Sequence, residues 1–498
     1  MNMKRILCGL LAGLMLLTMV GCGNGEDTTD ETKADATAAE EQETELKDNV
    51  PELDYQDDEI TILSRYREGW TSGEISVEGL NQDPVNDAVY ERNKTVEDRL
   101  KVRINSQEEH NNDQSAVISM IQRDVKGGSG EYDLLAAACY VTVNESLNGT
   151  FADLRQTEYI DFNMPWWTQG FNEAVEYKGA QFAVTGAALL SIYRFSFATL
   201  FNKRLFKEAG VPDLYENVRD GSWTLDYQTS IVTTFHRDDG NGKQDKTGDV
   251  YGLITTDYIS TDPYWSSCMI PILTKDENGD YTLDNFDINR LNDTVDKLIL
   301  LYYGTDNSTY DIAHYGADDE QNDIRDMFAE GWGAMATLRL MELENASMRD
   351  MSDEYGVVPM PKFDENQKEY RTLMHDQFTV LAVPTTVQDD HLTEISAFME
   401  VLAYQSYKTV KPAYYDVALR SKYMKDPESA EMLDIVINNI YIDPGIIYTN
   451  ALSTFHDGLR QIMGTKKNTV TSQYKSKTKS AGKALEKMCK KLDKILGE

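Results

Sequence analysis

The sequence predicts an α/β fold built on a mostly parallel sheet, and three observations predict it. Apolar, β-branched strands alternate with amphipathic helices over residues 60–137. The strands read as continuous buried runs, without the polar alternation of a half-exposed sheet. With 498 residues, 41% of them apolar, the chain can bury a core large enough for two or three domains or one bilobed body.

Taken in order, residues 60–63 (Ile-Thr-Ile-Leu) form a strand entered from Asp57, Asp58 and Glu59. A helix follows over 85–100, apolar at Val85, Val89, Val96 and Leu100. A short strand is expected at 102–104 and a helix at 116–125, stopped by Gly127 and Gly128. Residues 132–137 form a third strand. Another is expected at 179–184, and the apolar stretch 187–206 leads into a helix ending at Gly210. Farther on, helices are expected at 292–303 and 323–330, with strands at 334–338 and 378–383. From Leu392 the chain reads as mainly helical. Its last segment places Val470, Tyr474, Thr478, Ala481, Leu485, Met488, Leu492 and Ile495 on one stripe, opposite a Lys-rich face.

Charge excludes some partners. Lys and Arg number 48 against 84 Asp and Glu, a net charge of −36 that repels phosphate backbones, so nucleic acid is not an expected partner. The N-terminus accounts for part of that number. Lys4 and Arg5 precede an apolar run over 6–20, the layout of a secretory signal, too short to span a bilayer comfortably. The run ends in Met19-Val20-Gly21-Cys22, which resembles a bacterial lipobox, with Met where Leu is usual. The resemblance implies a signal peptide over 1–22 and lipidation of Cys22. Residues 23–55 are expected to form a disordered acidic tether. Over 23–54 twelve acids and two bases give −10, and with the +2 of Lys4 and Arg5 also removed, −28 is left on residues 55–498. Cys139, Cys268 and Cys489 are too scattered for a CxxC site and are expected to be buried thiols.

Catalytic signatures are missing. The chain contains no HExxH, GxSxG or GxGxxG, and Gly242-Lys243 is followed by Gln, which rules out a phosphate loop. No enzyme is expected, and no cofactor. One segment resembles a Ca²⁺ loop: Asp239, Asn241 and Asp245 occupy ligand spacings around Gly242. Against it, Arg237 stands at the first ligand position and no Glu closes the loop. Aromatic residues are abundant, with six Trp and 28 Tyr. Trp70 and Tyr140 follow predicted strands, where α/β folds bind ligands, and flat rings with polar groups suit a sugar.

Several loose motifs, in order, make the chain resemble the extracellular solute-binding proteins of bacterial ABC importers, in the carbohydrate-binding group that includes maltose-binding protein. They are Tyr177-Lys-Gly-Ala-Gln-Phe-Ala-Val184, Leu200-Phe-Asn-Lys-Arg-Leu-Phe-Lys-Glu-Ala-Gly210, Asp220-Gly-Ser-Trp-Thr224, Met327-Phe-Ala-Glu-Gly-Trp-Gly-Ala-Met335, Tyr355-Gly-Val-Val-Pro-Met-Pro-Lys362 and Lys411-Pro-Ala-Tyr-Tyr-Asp-Val-Ala-Leu419. Thr185 departs from a family Pro, and Trp332 interrupts one motif. The resemblance implies a two-lobed, class II periplasmic-binding-protein-like fold with hinge crossovers and a ligand cleft between lobes. Lobe one would comprise 56–188 and 377–422, and lobe two 189–376 and 423–498.

It also implies ligand contacts from Tyr66, Arg67, Trp70, Tyr140, Tyr193, Arg194, Arg339, His375, Asp376, Tyr414, Tyr415 and Phe455, with Trp166 and Trp167 either lining the cleft or forming a structural corner. The implied function is capture of a sugar or oligosaccharide by hinge closure at the outer face of the cell membrane. Delivery would be to membrane permease subunits, by a single copy held on its lipid anchor. A surface-anchored carbohydrate-active enzyme and a ligand sensor for a receptor kinase are the alternatives, and a peptide is the alternative ligand.

Overall fold

The computed structural model describes residues 46–111, 113–312, 320–423 and 426–497. The signal segment and Cys22 lie outside them. Among the described residues no helix is long and apolar enough to cross a membrane.

The first sheet is built from β1 (Asp58–Arg65), β2 (Val102–Glu109) and β3 (Leu134–Ala138), linked by helices α1 (Pro84–Leu100) and α2 (Ser115–Gly127). β1 lies between β2 and β3, parallel to both, with Ile62 opposite Ser106 and Leu134. Local chemistry fixes the helix ends. Asp83 caps α1 by accepting from the backbone N–H groups of Val85 and Asn86 at 3.0 and 3.2 Å, and Pro84 takes the first turn, where no donor is needed. α2 ends at Gly128 with φ of 61°, a left-handed cap that glycine adopts without steric cost.

The second sheet contains β4 (Phe197–Asn202), β5 (Tyr251–Thr255), β6 (Thr309–Asp311), β7 (Gly333–Arg339) and β8 (Tyr355–Val358), in the order β8-β4-β7-β5-β6. Helices α3 (Ile288–Tyr303) and α4 (Glu320–Ala329) lie between its strands in sequence. β5, β6 and β7 are parallel, and β4 runs antiparallel to β7 and β8. β9 (Thr379–Ala382) returns to the first sheet and pairs antiparallel with β3. α5 (Asp389–Lys408) follows, and α6 (Val470–Leu496) closes the chain, burying six residues of the predicted stripe.

Two stretches join the sheets. Residues 184–196 and 374–381 run side by side through the pairs Val184–Leu381 and Ser196–Met374. Thr185, the departure from the family Pro, donates its hydroxyl to the Thr379 carbonyl at 2.9 Å. Gly186 is needed there because a Cβ would fall 2.0 Å from the Trp166 carbonyl oxygen. Beneath the crossing, the buried Glu74 carboxylate accepts from the Ser191 backbone N–H on one stretch and from the Thr379 hydroxyl, at 2.6 Å, on the other.

The structure departs from three expectations. Residues 179–184 form no continuous strand; they make isolated bridges as the chain bends toward the crossing. The tether expected to stay unfolded through Tyr55 is laid down from Asp48 onward. The Asp48 side chain is 2% exposed and forms two 2.6 Å contacts with the Arg99 guanidinium, which also donates to the Val50 carbonyl, and Val50 is buried. Composition could not show an acid whose partner arrives from α1. Finally, the C-terminal end of α6 reaches residues expected in the other lobe: Asp493 pairs with Lys178 at 2.8 Å and accepts from the Tyr177 hydroxyl at 2.9 Å. Twenty-seven helical residues extend about 40 Å.

Candidate functional site

The carboxyl ends of strands from both sheets converge. β1 ends at Arg65, whose guanidinium donates to the carbonyl and side-chain oxygens of Gln377 at 3.3 and 3.1 Å. The chain then turns tightly, with the Trp70 and Thr71 N–H groups donating to the Arg67 carbonyl, both at 3.0 Å. β3 runs into helix Cys139–Ser146, whose Tyr140 N–H donates to the Asp376 carbonyl at 3.2 Å. From the second sheet, β7 ends at Arg339 and β5 leads to Asp257 and Tyr258. In α/β folds this end of the strands is where ligands bind.

Trp70 lies at the meeting point. Its ring is covered by the Arg67 guanidinium at 3.4 Å and by that of Arg339, from the other sheet, at 4.3 Å. Phe195 and His375 contact it edge-on at 5.3 and 6.2 Å. Arg339 is fully buried and bonds Glu342 at 2.9 Å. His375 is buried among aromatic rings; burial first, then the surrounding arginines, pushes its pKa well down and keeps it neutral. Its Nε2 lies 3.6 Å from Asp376.

Asp376 is the chemically unusual group. Burial pushes its pKa up to about 7, against the pull of Arg460 and Arg65, with Asp262 and Asp457 adding to the rise. Arg460 grips Asp262 through Nε at 2.7 Å and through a second, shorter contact. It also stacks over Tyr258, 4.5 Å from the ring centre, and Tyr258 is 44% exposed. Tyr140, half-buried, has its hydroxyl pKa raised to about 12 by burial and by Asp376.

Beside this cluster opens a groove of about 1460 Å³. Tyr66 and His110 form its rim, ring centres 4.2 Å apart. Its floor includes Arg194, Glu344 and Tyr414. Arg194 binds Glu344 through two contacts at 3.0 and 3.2 Å and reaches the Ser72 carbonyl at 3.4 Å. The Tyr414 hydroxyl donates to the same Glu344 at 2.6 Å. Tyr414 and Tyr415 belong to a π-helical segment, Ala413–Tyr423, packed against α1.

Of the twelve expected contacts, Tyr66, Arg67, Trp70, Tyr140, Arg339, His375 and Asp376 lie at the strand ends, and Arg194 and Tyr414 line the groove. Three do not fit the expectation. Phe455 is buried edge-on against Phe286 and Tyr474 at 5.1 and 5.0 Å, a core residue under α6. Tyr193 is buried beneath Tyr414 and Tyr415. The Tyr415 hydroxyl donates to Asp434 at 2.5 Å, away from the groove lining. Trp166 and Trp167 form a structural corner, each indole N–H donating to one oxygen of Glu400, at 3.0 and 2.9 Å.

At the Ca²⁺-like loop, the Asn241 amide nitrogen stands between Asp239 and Asp245, at 3.2 and 2.8 Å, so those oxygens face a donor. The carboxylate gathering with Asp239 is instead Asp249, with Asp238 alongside. Cys139, Cys268 and Cys489 are free thiols. Sequence reasoning missed Arg65, Glu74, Tyr258, Asp262, Glu344 and Arg460. The acids among them carry no local signal in so acidic a chain.

This architecture, two α/β bodies joined by paired crossings with strand ends facing one another, is the two-lobed class II periplasmic-binding-protein-like fold. Solved structures share it. The galacto-N-biose/lacto-N-biose I-binding protein of an ABC transporter from Bifidobacterium longum superposes with a TM-score of 0.58 at 13% identity, over 87% of this chain and 98% of that one. The cyclic α-maltosyl-1,6-maltose binding protein of Arthrobacter globiformis gives 0.55 at 14% identity, over 88% and 99%. An ABC substrate-binding protein from Listeria monocytogenes, solved with cycloalternan, gives 0.52 at 15% identity, over 89% and 99%. No family model and no curated protein matches the chain.

Proposed function

We propose that the chain is the solute receptor of an ABC importer and that it captures a sugar or oligosaccharide between its lobes without chemical change. One observation carries this reading: strand ends from both sheets bring aromatic rings and arginine forks together around Trp70, in a chain that shares nearly its whole fold with sugar receptors. Trp70 is covered by its two arginines, so pyranose C–H faces stack on the more open rings of Tyr66 and Tyr258, and hydroxyls pair with guanidinium donors and with the Asp376 carboxylate. Lobes 56–188 plus 377–422 and 189–376 plus 423–498 close on the ligand, and a membrane permease takes it from the closed form. Cys22 carries the lipid anchor and keeps a single copy at the outer membrane face.

Thermal-shift measurement against a panel of mono- and oligosaccharides tests this. A saccharide at 100 times its dissociation constant stabilises the protein by about 2.7 kcal/mol. Stabilisation by peptides and by no saccharide would overturn the carbohydrate assignment.

A further inference from the structure

At the end of the first sheet opposite the cleft, three elements bring one imidazole and three carboxylates together. Asp58 opens β1, Asp133 precedes β3, and His391 and Glu394 stand three residues apart on one face of the first turns of α5. Ligand atoms of Asp58, His391 and Glu394 all lie within 4.8 Å of one another. His391 Nε2 is 2.8 Å from Asp133 Oδ1, and its Nδ1 is 3.1 Å from Glu394 Oε2. Asp133 is held in place by its other oxygen, which accepts from the Thr61 N–H at 2.7 Å.

Glu394 supplies an independent observation. It is 6% exposed, yet its Oε1 has no hydrogen-bond partner among the described residues. A buried carboxylate oxygen left unpaired is costly, and a bound cation would satisfy it.

We propose that Asp58, His391 and Glu394 form a Zn²⁺ site, with Asp133 orienting the imidazole from behind. An imidazole whose far nitrogen is held by a carboxylate is the usual form of a zinc-ligating histidine, and mixed nitrogen and oxygen donors favour zinc over the hard cations Ca²⁺ and Mg²⁺. Nδ1 would bind the metal after losing its proton, so protons and metal compete for the site. Tetrahedral zinc brings its ligand atoms to about 3.3 Å of one another. Asp58 is exposed, and its Oδ1 accepts from the Glu59 N–H at 2.9 Å, so zinc would have to draw that carboxylate inward. The dication would offset the surplus of carboxylates and pin β1 to α5. This inference does not depend on what the cleft binds.

The test uses the intact protein, stripped with a chelator and titrated with zinc sulfate by calorimetry and by metal analysis after dialysis. One zinc per chain is expected, with a rise in Tm that Ca²⁺ does not reproduce. Glu394→Gln and Asp58→Asn should each weaken zinc by about 10–100-fold. Asp58 is exposed, so its variant keeps the fold if the Glu394 variant does not. Asp239→Asn, in the separate acidic cluster, should leave the affinity unchanged. Cobalt(II) bound in place of zinc should lose its nitrogen-ligand absorption in His391→Gln. No stoichiometric zinc, or zinc binding that survives the Glu394 and Asp58 substitutions, would overturn the site.

Discussion

Two tryptophan sites can be compared, one at Trp166 and Trp167 and one at Trp70. Both stand out in the sequence, both are buried, and only their partners separate them. The paired indoles turn their N–H groups onto the single carboxylate of Glu400, and Tyr404 meets Trp166 edge-on at 5.3 Å. That is a closed arrangement, with every polar group satisfied inside one body. Trp70 instead has a cation from each sheet against its ring, beside an open groove and near a carboxylate whose pKa burial raises to about 7. The polar partners of a buried aromatic, more than its burial, show whether it serves the core or the cleft.

The largest effect that would break this comparison lies at the corner. Glu400→Ala strands two buried indole donors and should cost about 2–6 kcal/mol in denaturant unfolding while leaving saccharide affinity unchanged. A loss of affinity at constant stability would place the corner in the binding site. The same residue sets a pH dependence. Burial pushes the Glu400 pKa up to about 7 against its two indole bonds, so the folded state holds a proton that the unfolded state releases. Its contribution should therefore fall as pH rises from about 4.5 to 7, by about 3 kcal/mol. Glu400→Gln should flatten that part of the stability profile.

Trp70→Ala should cost about 3–5 kcal/mol and also abolish saccharide binding, because the arginines lose the ring that spaces them. Stability loss alone would make Trp70 another core residue. At the rim, Tyr66→Ala should weaken binding about fivefold to tenfold with Tm unchanged. The smallest effect is expected from Asp376. If its carboxylate accepts sugar hydroxyls, affinity should rise a few-fold as pH passes upward through about 7, and Asp376→Asn should show no such rise, as calorimetry at several pH values would reveal.

Legibility followed the range of the physics. β1 and β3 could be read from apolar runs and α1 from its periodicity, because those signals are local; its Asp83 cap emerged only from the structure. The stripe on α6 was also legible, but its contact with Lys178 was not, since heptad spacing does not say which body receives each turn. Trp70 and Tyr140 were legible as residues following strands, while His375 and Asp376 came only from the family resemblance. That two arginines cover Trp70 was hidden, because Arg339 arrives from a distant strand. Phe455 was misplaced because a stacking aromatic and a core aromatic look alike until Phe286 and Tyr474 are seen against it. Glu74 and Glu400, which organise the crossing and the corner, are indistinguishable in sequence from the many solvated acids around them.

α6 gives the molecule a third strut. Near one end its own Tyr474 packs against Phe286 and Phe455, and near the other Asp493 pairs with Lys178, so this helix ties the two bodies together at a point away from both crossings.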